Sequence, residues 1–395
     1  MKKGAARIVL LGIMTRHPVA GVIWQTLHYL EGLQRLGYEV YYVEAGAHQP
    51  SSLLAPSANG TEDRSRAAAA FLERILRPVG MGDRWAFHAL HADGRCHGLS
   101  ERRLGEVYAT AELIINLHGA TLPRPEHWKT DRLIYLETDP VWIQIELSQG
   151  LEETIEYLAP HRAFFTFGEN YGTPRCPLPV SERFVFRATR QPVVLDFWDR
   201  EGCSPGPIFT TVGNWKQSWR DVRFQGETYH WSKHHEFLKF LDLPTRTGES
   251  FELALSPRGV GEEDIQMLES SGWAVRNALE ISVDPDEYRR YIQGSRGEFT
   301  VAKDQNVRLQ TGWFSDRSAT YLASGRPVIT QDTAFDQNLP TGRGLFAFNT
   351  SEEVEEALDA IRTDYRGHCR AAREIAREYF AHDQVLPRLL HEAGG

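Results

Sequence analysis

Between Arg7 and Glu44 the chain reads strand, helix, strand with very short connections. Arg7–Met14 (RIVLLGIM) is a near-continuous apolar run, the pattern of a strand buried on both faces. From Gly21 to Leu36, Val22, Trp24, Leu27, Leu30, Leu33 and Leu36 recur at helical spacing. Gly37 stops that helix and Glu39–Glu44 is the next strand. Parallel strands need a crossover, so this unit dictates a parallel sheet with helices on its faces. The apolar run Ile8–Met14 runs straight into Thr15-Arg16-His17-Pro18 with no small-residue cleavage site, so it is a strand and not a leader.

Further strands are expected at Leu113–Leu117, Leu133–Glu137 and Ala163–Phe167, and residues 49–62 read as a loop. The texture then changes. Prolines fall at 174, 177, 179, 192, 205 and 207, with one short strand, Val193–Leu195, expected among them. A second alternating series follows: strand Ile208–Val212, helix His234–Leu241, strand Phe251–Leu255, helix Glu262–Ser270, strand Glu298–Ala302, helix Arg317–Ala323, strand Val328–Thr330 and helix Glu352–Arg362. A chain of 395 residues suits two cores better than one. The expected organisation is α/β, with two doubly wound domains in tandem, residues 1–190 and 208–380, joined by a linker at 191–207. Ligands of such sheets sit beyond the C-terminal strand ends, which points to a cleft between the domains.

The formal charge is −9 with no basic block, so nucleic acid is not an expected partner. No stretch reaches the roughly 18–20 apolar residues of a membrane span. Cys96, Cys176, Cys203 and Cys369 lie far apart without metal-ligand spacing, as in reduced thiols of a cytoplasmic protein. No paired-carboxylate metal motif, GxSxG, P-loop or GxGxxG is present. Neither a metal nor an organic cofactor is expected.

The stretch Thr311–Thr330 (TGWFSDRSATYLASGRPVIT) crowds Ser315, Asp316, Arg317 and Ser318 onto the first turn of a short helix that Gly325 and Pro327 shut off. Unpaired N–H groups, hydroxyls and a guanidinium at a helix N-terminus suit an anion such as a diphosphate. The plainer alternative is that Ser315 or Asp316 only caps the helix.

The run Tyr321–Phe335 (YLASGRPVITQDTAF) resembles the glycosyltransferases of the GT-B fold. So does Phe209–Gln217 (FTTVGNWKQ), which opens the second domain on a strand ending in Val-Gly, and so does the first strand–helix unit ending in Leu-Gly-Tyr-Glu-Val. The resemblance implies two facing Rossmann-like domains and transfer of a sugar from a nucleotide-diphosphate donor, a UDP-sugar first, to a hydroxyl of a small molecule or glycan. It implies that Gly213, Asn214 and Lys233 hold the donor with the Ser315–Ser318 turn, and that residues 381–395 return as a helix to the first domain. Lys303, at a strand end just ahead of that turn, either reaches a phosphate or sugar of the donor or is solvated. The sequence also departs from the family. The places of its two glutamates hold Gly312 and Thr320, and the place of its first-strand arginine holds Asn214. A nucleotide-sugar epimerase of the same shape, or a sugar- or nucleotide-binding protein without turnover, are the alternatives.

For catalysis, His17 follows the first strand, and a neutral imidazole there could take the acceptor proton. His118 and Asp139 end two further strands, as partners of that step or as ordinary turn residues. Gly21 is expected in the acceptor-side loop, where it would allow close approach. Glu298 begins its strand and is expected away from the cleft. Trp215, Trp219, Tyr229 and Trp231 form either an acceptor wall, a nucleobase shelf or a packed insertion.

Overall fold

A computed structural model describes residues 5–46, 48–55, 61–199, 205–217 and 219–394. The first sheet has eight strands in the order Cys96–Gly98, Trp85–His88, Glu39–Glu44, Arg7–Leu11, Leu113–Leu117, Leu133–Glu137, Ala163–Thr166 and Phe186–Ala188. All neighbours are parallel except Trp85–His88 with Cys96–Gly98. Ile8 pairs with Val40 on one side and Leu113 on the other, so the apolar opening strand is central. Val9, Leu10 and Leu11 have no solvent exposure, which is why no polar alternation marks this strand.

The second sheet is wholly parallel, in the order Ala274–Asn277, Ser250–Leu255, Ile208–Gly213, Gly297–Thr300, Val328–Gln331 and Leu345–Phe348. In both sheets the order reverses beside the opening strand. The two switch points lie at Arg7–Leu11/Leu113–Leu117 and Ile208–Gly213/Gly297–Thr300, the places where doubly wound sheets bind ligands.

Several expectations are corrected. The opening strand stops at Leu11, because Gly12 to Arg16 turn into the cleft. Val193–Leu195 is not a strand: Val193 makes an isolated bridge to Ala381, and Leu195–Phe197 is a 3-10 turn. The expected loop at 49–62 holds a 3-10 turn at Ser52–Leu54 and the start of an unexpected helix, Thr61–Leu76, while 56–60 lie outside the described residues. The expected His234–Leu241 helix is an α turn, His234–Phe237, followed by a 3-10 turn, Leu238–Phe240. An unexpected hairpin, Val222–Phe224 with Glu227–Tyr229, rises between the first two elements of the second sheet.

The chain crosses between domains twice at one place. Val193 N donates to Phe380 O at 2.6 Å, and His382 N donates to Val193 O at 2.9 Å. The final helix, His382–Glu392, then lies along Ala20–Arg35 of the first domain. A Cβ at Gly32 would come within 2.7 Å of Leu386 and 2.9 Å of His382, so the helices meet backbone to side chain there. Leu386 and Leu389 are buried in that contact. No helix among the described residues is long and apolar enough to cross a membrane.

Candidate active site between the two sheets

The loop after Arg7–Leu11 is held by a buried carboxyl. Glu44 accepts from Thr15 N at 3.0 Å, from Thr15 Oγ1, and from Tyr42 OH at 2.5 Å, while Tyr42 OH accepts from Met14 N at 3.1 Å. Burial pushes the Glu44 carboxyl up to about 7. This clamp presents His17 at the cleft mouth. His17 is solvent-exposed. Desolvation, and then Arg16, Arg220 and Arg258, lower its pKa to about 4, so it is neutral at pH 7.

His118 immediately follows its strand in the left-handed region, at φ 63°. Its Nδ1 lies 3.0 Å from Thr138 Oγ1, and its Nε2 is buried without a hydrogen-bond partner. Burial lowers its pKa to about 4 against the pull of Asp139. Two residues past Asp139, Val141 has φ 100°, a costly place for a β-branched residue. Such strain persists where the surroundings impose it, and here it shapes the turn that carries Asp139.

From the second sheet, Lys303 follows Gly297–Thr300 and crosses the cleft. Its Nζ lies 2.6 Å from Asp139 Oδ1 and 3.0 Å from the centre of the Trp231 ring. Burial lowers its pKa to about 8, with Asp139 opposing. Lys233 immediately precedes the His234–Phe237 turn. Its pKa is well below the lysine range, first from burial and then from Arg317 and Lys303, with Glu298 and Asp316 opposing. Its ammonium has no hydrogen-bond partner among the described residues.

The helix of the Ser315–Ser318 turn spans Asp316–Ala323. Ser315 precedes it but makes no capping bond, which removes the plainer reading for that residue. Ser318 Oγ is buried without a partner. Burial raises the pKa of the Asp316 carboxyl. Arg317 is not a free cation: Nε donates to Glu298 Oε1 and Nη1 to Val212 O, each at 2.5 Å, and Nη2 to Thr300 Oγ1 at 3.0 Å. Glu298 therefore sits under the switch point rather than away from it, neutralising Arg317 and stitching the helix to the two central strands. Gly213 ends the opening strand beside this guanidinium, and Asn214 is exposed just beyond. Gly21 is not in a loop: it lies in the first turn of Ala20–Arg35. It still borders the inter-domain crevice, together with Trp24, Tyr288, Asp316, Arg317 and Thr320.

The structure thus brings His17, His118, Asp139 and Lys303 to one cleft, with Lys233, Asp316 and Ser318 on its second-domain wall. At one of the two glutamate places, Gly312 has φ 73°, and a Cβ would lie 2.7 Å from Asn170 Cγ. Asn170 of the first domain keys into this turn, accepting from Asn338 and donating to the Gln310 and Ala334 carbonyls. Packing between the domains excludes a glutamate there. At the other, Thr320 donates to Arg317 O at 2.6 Å.

Sequence reasoning missed Arg16, Arg220, Arg258 and Trp142, whose meeting depends on the two domains facing each other. The Trp-rich insertion divides by role. Trp215 and Trp231 are buried, while Trp219 is 61% exposed beside Trp142 of the first domain. No cluster of His, Cys, Asp or Glu suited to a metal ion occurs among the described residues.

No protein-family model matches this chain, and no curated protein matches it in sequence. Solved structures match its fold along nearly its whole length. An α-glucosyltransferase in complex with UDP is 11% identical, covering 99% of this chain and 100% of its own at a TM-score of 0.60. A glycosyltransferase involved in avilamycin A biosynthesis is 11% identical, with 98% and 97% covered, TM-score 0.52. HepE from Anabaena, in complex with UDP and glucose, is 12% identical, with 98% of each chain covered, TM-score 0.52. The chain has the GT-B fold, two facing Rossmann-like domains with a cleft between them.

Proposed function

We propose that the protein is a glycosyltransferase that moves a sugar from a nucleotide-diphosphate donor to an acceptor hydroxyl. The observation that carries this reading is Lys233, a lysine set among Arg317 and Lys303 with no partner for its ammonium. Half-buried and with its Nζ still open to water, this ammonium is placed for an incoming anion to complete it. The first turn of Asp316–Ala323 and the unpartnered Ser318 Oγ supply further donors. In this reading the diphosphate lies between Lys233 and that turn, and Lys303 approaches the transferred sugar. The cations and helix end neutralise the leaving diphosphate, so no metal ion is part of the proposal.

His17 and His118 face the donor from the first domain, and either can take the acceptor proton in its neutral form. Glu44 and Thr138 act through them as positioning residues. UDP is the first nucleotide to test because two of the structural neighbours hold it. The unpaired Cys96, Cys176 and Cys369 fit a reducing, cytoplasmic setting. Gly312 and Thr320 at the two glutamate places favour a second reading, binding without turnover.

Calorimetric titration with UDP, and UDP release from UDP-glucose, test both. Lys233→Ala is expected to weaken UDP by about 10–150-fold, the range of about 1.5–3 kcal/mol for a hydrogen bond to a charged group. UDP affinity equal in both proteins removes Lys233 from the donor site. UDP binding without consumption of any nucleotide sugar leaves the second reading.

A further inference from the structure

The insertion between Gly213 and His234 leaves its own sheet and lies on the first domain. Its hairpin packs Val222 and Tyr229 against Val141, Ile145 and Leu178, and Gln149 Nε2 donates to Arg223 O at 3.3 Å. At the base of the hairpin, Arg220 is enclosed by indoles. Its Cζ lies 4.5 Å from the Trp219 ring centre, 5.0 Å from Trp231 and 5.4 Å from Trp142. Rings from both domains therefore hold this guanidinium in one place. Yet it makes no hydrogen bond or ion pair with any described residue.

The groups Arg220 faces belong to the strand ends of the first sheet. It acts on His17, His118 and Glu137. Of the two carboxyls there, Asp139 is engaged by Lys303. Glu137 bonds Thr166 and Gln144 through Oε2, keeps Oε1 buried without a partner and is pushed up to about 7 by burial, so neither forms an ion pair with Arg220. Arg16 and Arg258 act on the same His17 ring and likewise make no side-chain pair among the described residues. In a chain of net charge −9, three guanidiniums that act on one histidine and make no ion pair among the described residues form a local excess of positive charge. Lys233 feels chiefly Arg317, Glu298, Lys303 and Asp316 and none of these three arginines, whereas Lys303 shares the Trp231 ring with Arg220 and lies between the two groups of cations.

We propose that Arg220, with Arg16 and Arg258, forms an anion subsite for the acceptor, so that the sugar-receiving molecule is small and carries a carboxylate or a phosphate. The inference rests on the glycosyl-transfer reading above. Arg220 pairs with the anion, and the exposed face of Trp219 covers the body of the acceptor. The acceptor hydroxyl is thereby held near His17 and His118. The acidic overall charge and the absence of a basic stripe favour a small anion over a nucleic acid.

Trp142, Trp219 and Trp231 report on this subsite, so tryptophan fluorescence of the full chain is the readout, with and without saturating UDP. The probes are glucuronate, glucose 6-phosphate and glucose. At least one anion is expected to bind ten or more times tighter than glucose, and the tighter of the two separates carboxylate from phosphate. Arg220→Ala is expected to lose that affinity at least tenfold, and Arg220→Lys to keep part of it. Should Arg220→Ala fail to melt cooperatively, the Arg16→Ala/Arg258→Ala double variant carries the same expectation. Equal affinity for all three probes, or undiminished anion binding in the variants, overturns the proposal. So does random duplex DNA displacing the anion at lower concentration than either probe binds. The nucleotide titration reads separately: no binding of UDP, GDP, TDP or ADP refutes the glycosyl-transfer reading, whereas binding of one of them without anion preference refutes this inference alone.

Discussion

The Lys303 ammonium and the Asp139 carboxylate meet at 2.6 Å across the cleft, each at the end of a strand from a different sheet. Lys303 is 8% exposed and backed by the Trp231 ring, so the pair is a buried link between domains. Removing one partner strands the other charge. Asp139→Asn is expected to cost about 1–3 kcal/mol in urea denaturation, with Asp139→Asn/Lys303→Met recovering much of it. The pH dependence has two parts. Lys303 holds its proton less tightly folded, with a pKa of about 8, than at the ordinary 10.5. The unfolded chain thus binds more protons between those values, and this group's contribution to stability rises with pH there. The cross-cleft pair itself dissolves above about pH 8, which small-angle scattering would read as wider domain separation without unfolding.

Lys233 is expected to trade stability for binding. Its folded pKa is depressed by burial and by Arg317 and Lys303, so its cost is present in full below that pKa. The cost fades as pH rises toward the ordinary lysine range. Lys233→Met should therefore raise the melting temperature of the ligand-free protein by about 1–4 °C while weakening UDP. A lower melting temperature with UDP affinity intact would mark Lys233 as a structural residue.

The pH–rate profile distinguishes the two histidines from ordinary ones. Both His17 and His118 titrate near 4, the first by desolvation and three arginines, the second by burial. The acid limb of kcat/KM should therefore fall near pH 4–5, well below that of an unperturbed imidazole. An acceptor anion bound by Arg220, Arg16 and Arg258 offsets their effect on His17, so the limb of kcat should lie higher. His17→Ala or His118→Ala, whichever is the base, should cut kcat by about two to four orders of magnitude. Full turnover in both variants would remove a histidine base from the mechanism.

Much of this was legible from residue order because the central strands are long apolar runs. Arg7–Leu11, Leu113–Leu117 and Ile208–Gly213 are buried on both faces, and the ends of the last two carry His118 and Gly213 straight to the cleft, while His17 depends on the loop that Glu44 holds beyond Leu11. The edge strands Cys96–Gly98 and Phe186–Ala188 escaped because three residues give too little alternation to read. Arg317 looked free because a first-turn arginine reads as a ligand until Glu298 is known to lie beneath it. The aromatic enclosure of Arg220 needs Trp142 from the other domain, and no local pattern encodes that meeting.

The return of the last helix depends on Gly32. Its Cα faces Leu386 and His382 so closely that Gly32→Ala forces Ala20–Arg35 and His382–Glu392 apart. A cost of about 1–3 kcal/mol is expected, read by thermal melting. Gly105→Ala, on the Glu101–Thr110 helix where nothing lies within 4 Å of the added Cβ, is the control expected to be neutral or slightly stabilising.

The most direct measurement is a crystal structure of the full chain with UDP. The account expects the diphosphate within hydrogen-bonding distance of Lys233 Nζ and of the first-turn N–H groups of Asp316–Ala323, facing His17 and His118 across the cleft. UDP seated wholly against the first sheet, or with Lys233 and that turn untouched, would contradict it.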